Sequence, residues 1–106
     1  MLILKDDGYG TTVESLRFFR KCRDYLGEIL SVEMIYYYKD EEWVEYPLHI
    51  IGSLAEMRLS GCNSGFGGEG PHGSVTVLRE LGYPEPYCEY PLQRKSFLLG
   101  DPKSYE

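Results

Sequence analysis

Between Gly27 and Ile29 the spacing of apolar side chains changes from about 3.6 residues to two, which limits the chain to folds that run from a helix directly into a strand. Upstream, Val13, Leu16, Phe19, Cys22 and Leu26 recur at intervals of three and four, and Phe18 and Tyr25 widen the stripe. This predicts an amphipathic helix that ends near Gly27. Thr11-Thr12-Val13-Glu14 has the form of a capping box, in which Thr11 accepts from the Glu14 amide and Glu14 reaches back to the cap. Downstream, Val32, Met34, Tyr36 and Tyr38 alternate with Glu33, Ile35 and Tyr37, a half-buried strand rich in β-branched and aromatic residues.

The remaining segments extend the same scheme. Residues 2 to 4 read as a first strand, followed by a turn at Asp6-Asp7-Gly8-Tyr9-Gly10. Lys39-Asp40-Glu41-Glu42 is a polar turn, and Trp43, Val44, Glu45 and Tyr46 resume a strand pattern, so residues 31 to 47 are expected to form an antiparallel hairpin. Pro47 marks an edge or an end, having no amide to give a ladder. Leu48 to Ile51 and Ala55 to Ser60 read as a third and a fourth strand. Gly61 to Gly73 reads as a loop throughout. Val75, Leu78 and Leu81 then predict a short helix stopped by Gly82, residues 83 to 92 an extended surface connector with three prolines, and Arg94 to Leu99 a last strand. Helices and strands do not alternate as in parallel α/β folds, so the expected class is α+β: one domain over residues 1–106, with a mostly antiparallel sheet of four to five strands, an N-terminal helix and a second short helix. The tetrapeptide Glu-Tyr-Pro-Leu occurs at 45–48 and at 89–92 without matching flanks, and reads as a coincidence.

Charge then narrows the function classes. Eleven Lys and Arg face seventeen Asp and Glu, a net charge of −6. Direct nucleic-acid binding needs the opposite balance, a basic footprint that neutralises phosphates. Arg17, Arg20, Lys21 and Arg23 lie on the first helix and read as its solvated face, which leaves the rest of the chain more acidic still. No run of 18 apolar residues predicts a membrane span, and Met1-Leu2-Ile3-Leu4-Lys5-Asp6-Asp7 lacks the form of a signal peptide, so the chain is expected to be cytoplasmic. Cys22, Cys62 and Cys88 are widely spaced and read as free, mostly buried thiols. Two histidines without His-x-x-x-His spacing predict no metal and no cofactor.

Two constellations remain as candidate surfaces. The hairpin carries Tyr36, Tyr38, Trp43 and Tyr46 among Asp40, Glu41, Glu42 and Glu45. Tyrosine and tryptophan give large contact area at low entropic cost, and acids around them steer a basic partner. The same pattern also fits a tyrosine-covered sheet face with a soluble turn that binds nothing. The second is the glycine-rich stretch 65–75, where Gly67, Gly68, Gly70, His72, Gly73 and Ser74 could present backbone amides to a nucleotide or small anion ahead of a helix. It matches no phosphate-binding fingerprint, Glu69 brings a negative charge, and a tight structural loop explains the glycines equally well. Glu69 and His72 would be the minimal acid/base pair of an enzyme, but no nucleophile accompanies them. His49, in an apolar strand, reads as a hydrogen-bonded core or edge residue.

In size, acidity, aromatic sheet and want of a catalytic motif, the chain resembles the bacterial immunity proteins that inhibit polymorphic or contact-dependent toxins. The resemblance implies a non-enzymatic inhibitor that binds one toxin or effector domain tightly, often a nuclease or deaminase, and covers its basic cleft with acids.

Overall fold

The computed structural model describes residues 1–35 and 44–106. Its elements run β1 (Leu2–Lys5), α1 (Thr12–Cys22), a 3₁₀ turn (Arg23–Leu26), β2 (Ile29–Met34), β3 (Leu48–Gly52), β4 (Ala55–Leu59), α2 (Glu69–Glu80), the single helical turns α3 (Glu85–Cys88) and α4 (Tyr90–Gln93), β5 (Phe97–Leu99) and a final 3₁₀ turn (Pro102–Tyr105). The fold is α+β. Among the described residues five strands form one mixed sheet in the order β1-β4-β3-β2-β5, antiparallel except for the β1–β4 pair.

Alternation along the strands sorts the sheet into two faces. Val32, Met34, Leu48, Ile50, Met57, Leu59 and Leu99 point to one side, where Phe19 of α1, Val77 and Leu78 of α2 and Cys88 of α3 close a single core. Gly73 lets α2 approach α1, since a Cβ there would strike Thr12 Cγ2. The helix-to-strand switch read from the sequence is built by Leu26, fully buried, and by Gly27 at φ +75°. The Leu26 carbonyl then accepts from Leu54 N (2.9 Å) and sits where a Cβ of Gly52 would fall, so the end of β3 is pressed against the exit of α1.

The first helix starts where expected but is not held by a capping box. No side chain caps it, and Glu14 instead pairs with Arg17 at 2.8 Å. The hydroxyl work passes to the next residues. Thr12 Oγ1 donates to Gly61 O (2.8 Å), and Ser15 Oγ donates to Asp6 Oδ2 while accepting from Gly61 N (2.8 Å). Asp6 Oδ2 also accepts from Ser60 N (2.8 Å), and Asp6 Oδ1 from Gly8 N (3.0 Å). This buried polar hub ties the end of β1, the start of α1 and the exit of β4 at one point.

Other expectations are corrected. The glycine loop is shorter than residues 61–73 because α2 begins at Glu69; Pro71 falls in its first turn, where no amide is required of it. Gly82 ends the helix as expected, at φ +96°, with Tyr83 N donating to Leu78 O and Gly82 N to Arg79 O, a Schellman closure. Residues 83–92 are not an extended surface connector. Pro86 and Pro91 occupy early helical positions of α3 and α4, and Tyr83, Tyr87, Tyr90 and Tyr105 pack ring against ring, with centroid separations from 4.3 Å (Tyr87–Tyr105) to 5.8 Å (Tyr83–Tyr105). The last strand starts at Phe97 instead of Arg94. Of the expected hairpin, residues 36–43 lie outside the described residues; β2 pairs with the segment read as a third strand, where Met34 faces Leu48 and Val32 faces Ile50. Residues 44–47 are irregular.

Candidate functional site

The face of the sheet opposite the helices combines the features a partner would read. Register sets its rows. Leu98, Glu33, His49, Arg58 and Lys5 lie side by side across all five strands, and Ser31, Ile51, Glu56 and Ile3 form the neighbouring row. Leu98 is 70% exposed and Ile3 44%. Glu56 is the centre of a small polar group: it forms an ion pair with Arg58 Nη2 at 3.2 Å and lies 3.4 Å from His49 Nδ1. His49 therefore belongs to this open face of a central strand, and not to the core.

Residues 35–47 connect β2 to β3. The ends of this connection are held together by Ile35 N donating to Pro47 O (2.9 Å). Of the proposed contact residues, Tyr36, Tyr38, Asp40, Glu41, Glu42 and Trp43 lie outside the described residues. Glu45 is exposed. Tyr46 is half-buried and anchors the return of the connection to the turn after β1, with its hydroxyl donating to Asp6 O (3.5 Å) and Lys5 Nζ 5.6 Å from its ring centre. Desolvation, then the charges of Asp6, Glu45 and Asp7, raises the Tyr46 pKa, so the phenol stays protonated at neutral pH.

Several arginines elsewhere are paired within the chain. Arg20 of α1 and Arg23 of the 3₁₀ turn after it both reach Glu80 of α2, at 2.7 and 3.6 Å, and Arg79 pairs with Glu85 at 2.8 Å. The helix face read as solvated is thus partly a seam with α2: Arg20 and Arg23 meet Glu80 across it, while Arg17 pairs with Glu14 on the exposed side of α1.

The glycine-rich residues are placed differently from one another. A Cβ on Gly67 would meet nothing within 4 Å, and one on Gly68 only the Phe66 ring. Gly70 and Gly73 are packing positions, against Asn63 and Thr12. Ser74 is buried and its hydroxyl donates to Asn63 O (2.7 Å), while Glu69 and His72 are exposed on the first turn of α2. Cys62 is fully buried, and burial followed by the charge of Asp6 pushes its thiol up to about 12. Ser64 Oγ donates to Lys95 O (2.7 Å). Neither side chain is thus a ready nucleophile beside His72. Among the described residues no three His, Cys, Asp or Glu side chains gather to hold a metal ion, and no helix is long and apolar enough to cross a membrane.

Reasoning from the sequence singled out the connection but missed the rows of the open face. The alternation of Glu33 and His49 with apolar neighbours was the available signal; which strands lie side by side was not. Comparison with protein-family models, with curated proteins and with solved structures finds no match to this chain.

Proposed function

We propose that the chain is a binding protein, not an enzyme, that neutralises a basic protein partner through residues 36–46 and the adjoining open face of the sheet, in the manner of an immunity protein covering a bacterial toxin domain such as a nuclease or deaminase. The observation that carries this reading is the distribution of charge. A net charge of −6 remains while Arg20, Arg23, Arg58 and Arg79 are engaged with Glu80, Glu56 and Glu85, so the acids left over include Glu33 and Glu45 on the proposed surface, with Asp40, Glu41 and Glu42 between them in sequence. A surface of this sign accelerates encounter with a basic domain and repels nucleic acid itself. Exposed Ile3 and Leu98 beside half-buried Ile51 add the apolar area that sustains a complex once formed. The test is charge reversal: the triple variant D40K/E41K/E42K should associate more slowly with the partner and show a weaker salt dependence. Unchanged association and salt dependence would remove the basis of the proposal.

A second reading, a nucleotide or small-anion module on residues 65–75, rests on the open approach to Gly67 and the extended Gly68 that starts the twelve-residue helix α2. Glu69 in the first turn opposes it. A thermal-shift panel of nucleotides and inorganic phosphate decides, since a ligand at one hundred times its Kd adds about 2.7 kcal/mol. No shift with any of them discards this reading.

A further inference from the structure

Among the described residues β1 is the outermost strand at one edge of the sheet. Asp6 N donates to Arg58 O (3.3 Å) and so continues the ladder to β4. Main-chain groups alternate in direction along a strand, so Leu2 and Leu4, like Asp6, turn their amides and carbonyls toward β4. Ile3 and Lys5 turn theirs outward. Proteins usually shield such an edge with proline, a bulge, inward-pointing charge or lysines, or by keeping it very short. Leu-Ile-Leu-Lys has no proline, bulge or inward-pointing charge; it is four residues long, and its one shielding side chain, Lys5, comes at the end. Leu2, 56% exposed, and Ile3, 44% exposed, also leave the edge apolar on both faces of the sheet.

We infer that β1 is a self-association edge, on which two copies of this chain pair antiparallel about a two-fold axis at Leu4. In that register Ile3 of each copy forms a hydrogen-bonded pair with Lys5 of the other, using all four outward-facing groups of the two residues on each strand. Leu4 then faces its own copy across a close, non-hydrogen-bonded pair and extends the core against which it already packs. Each Lys5 lays its aliphatic stem over the other copy's Ile3, and the two lysines stand diagonally, about 7–8 Å apart. A register centred on Lys5 would set the two like charges directly opposite, which is unfavourable. The charges at this corner also choose the occupant. Arg58, the register neighbour of Lys5, is paired with Glu56, so Lys5 is the charge an incoming strand meets: a strand that sets a cation directly opposite it is repelled, whereas a second copy brings an apolar strand whose one lysine falls opposite isoleucine. The axis runs through the sheet, so both open faces emerge on one side of a continuous ten-strand sheet, and the dimer would present the open face twice.

So short an edge buries less than about 1,200 Å², which makes the dimer concentration-dependent. Sedimentation equilibrium of the full chain from micromolar to millimolar should show the mass rising from 12.2 kDa toward twice that value. Ile3→Pro removes an outward amide and none of the β4 ladder, a position where an edge strand accepts proline, so it should abolish the rise while keeping the melting temperature. Should that variant fail to fold, amide exchange in the unaltered chain decides: Ile3 and Lys5 should gain protection with concentration while Leu4 is protected throughout. A monomer at every concentration, a dimer that survives Ile3→Pro in the folded state, or Ile3 and Lys5 exchange that ignores concentration would overturn the inference. So would protection of these two amides that appears only when another protein is added, which would assign the edge to that protein.

Discussion

Replacing Asp6 by alanine should be among the most damaging single changes in this chain. The Asp6 side chain is only 7% exposed and accepts from Ser15 Oγ, Ser60 N and Gly8 N. In Asp6→Ala two buried donors, Ser15 Oγ and Ser60 N, lose their acceptor. Each orphaned buried group costs about 1–3 kcal/mol, while Gly8 N, being nearer solvent, turns to water at little cost. Release of the carboxylate's own desolvation offsets part of this, leaving a net loss of about 3 kcal/mol. For a domain of this size that is a fall of about 12 °C or more in Tm. Asp6→Asn keeps one acceptor oxygen for Ser15 and Ser60 and turns an NH2 toward Gly8 N, so its cost should be about half as great. Urea unfolding read by far-UV circular dichroism gives both values, provided the m-value is unchanged. A double-mutant cycle with Ser15→Ala should be non-additive by at least about 0.5 kcal/mol, because both residues act through one network. An Asp6→Ala protein that melts within about 2 °C of the parent would refute the argument that this hub holds β1, α1 and β4 together.

Other outcomes follow from the same packing. Gly52→Ala drives a methyl group into the Leu26 carbonyl, main chain against main chain, and should cost at least about 3 kcal/mol in the same urea assay. Cys62, buried and with its thiol pushed up to about 12, should resist a thiol reagent at pH 8 in the folded protein, with half-buried Cys22 reacting first and all three cysteines reacting in urea. The sign of its pH dependence is fixed: folding raises this pKa above its ordinary value of 9.0, so the folded state holds the proton more tightly, and its contribution to stability is full below about 9 and is lost as the pH rises toward about 12. Thermal-shift runs at pH 8, 9.5 and 10.5 should show Tm falling monotonically, with buried Tyr83, whose pKa is raised chiefly by desolvation, adding to the fall.

The parts of this fold that are local were legible in the sequence. The α1 stripe, the stop at Gly27, the β4 strand and the Gly82 terminus each depend on a few consecutive residues, and each appears within a residue or so of where the pattern places it. What was not legible depends on distant partners. Thr11 and Glu14 satisfy the capping-box rule, yet Thr12 and Ser15 are the residues engaged, because Gly61 and Asp6 offer partners that no local rule contains. Proline-rich 83–92 reads as extended on composition, but Tyr83, Tyr87 and Tyr90 gain more from packing with Tyr105 and Phe97, and prolines in first turns do not oppose a helix. The tyrosine surplus therefore belongs in good part to this C-terminal cluster and not only to the hairpin. Pairing is the third case. Leu48 to Ile51 reads from the sequence as a strand of its own, and only the fit of Leu48 and Ile50 under α1 and α2 makes it the partner of β2. On the candidate site, acidity and the exposed Glu45 were readable, whereas the row joining Leu98, Glu33, His49, Arg58 and Lys5 exists only once strand order is known.

The central claim, that an acidic surface on one side of this sheet recognises a basic protein, is tested most directly by association kinetics. A protein retained on the immobilised chain from the source cell, identified and purified, is followed by surface plasmon resonance at low and high salt against the parent chain and D40K/E41K/E42K. The account predicts a basic partner, a fast association with the parent that falls steeply with salt, and a slower association with the triple variant that falls less. A partner of neutral or acidic charge, or identical association rates and salt slopes for the two chains, would contradict it.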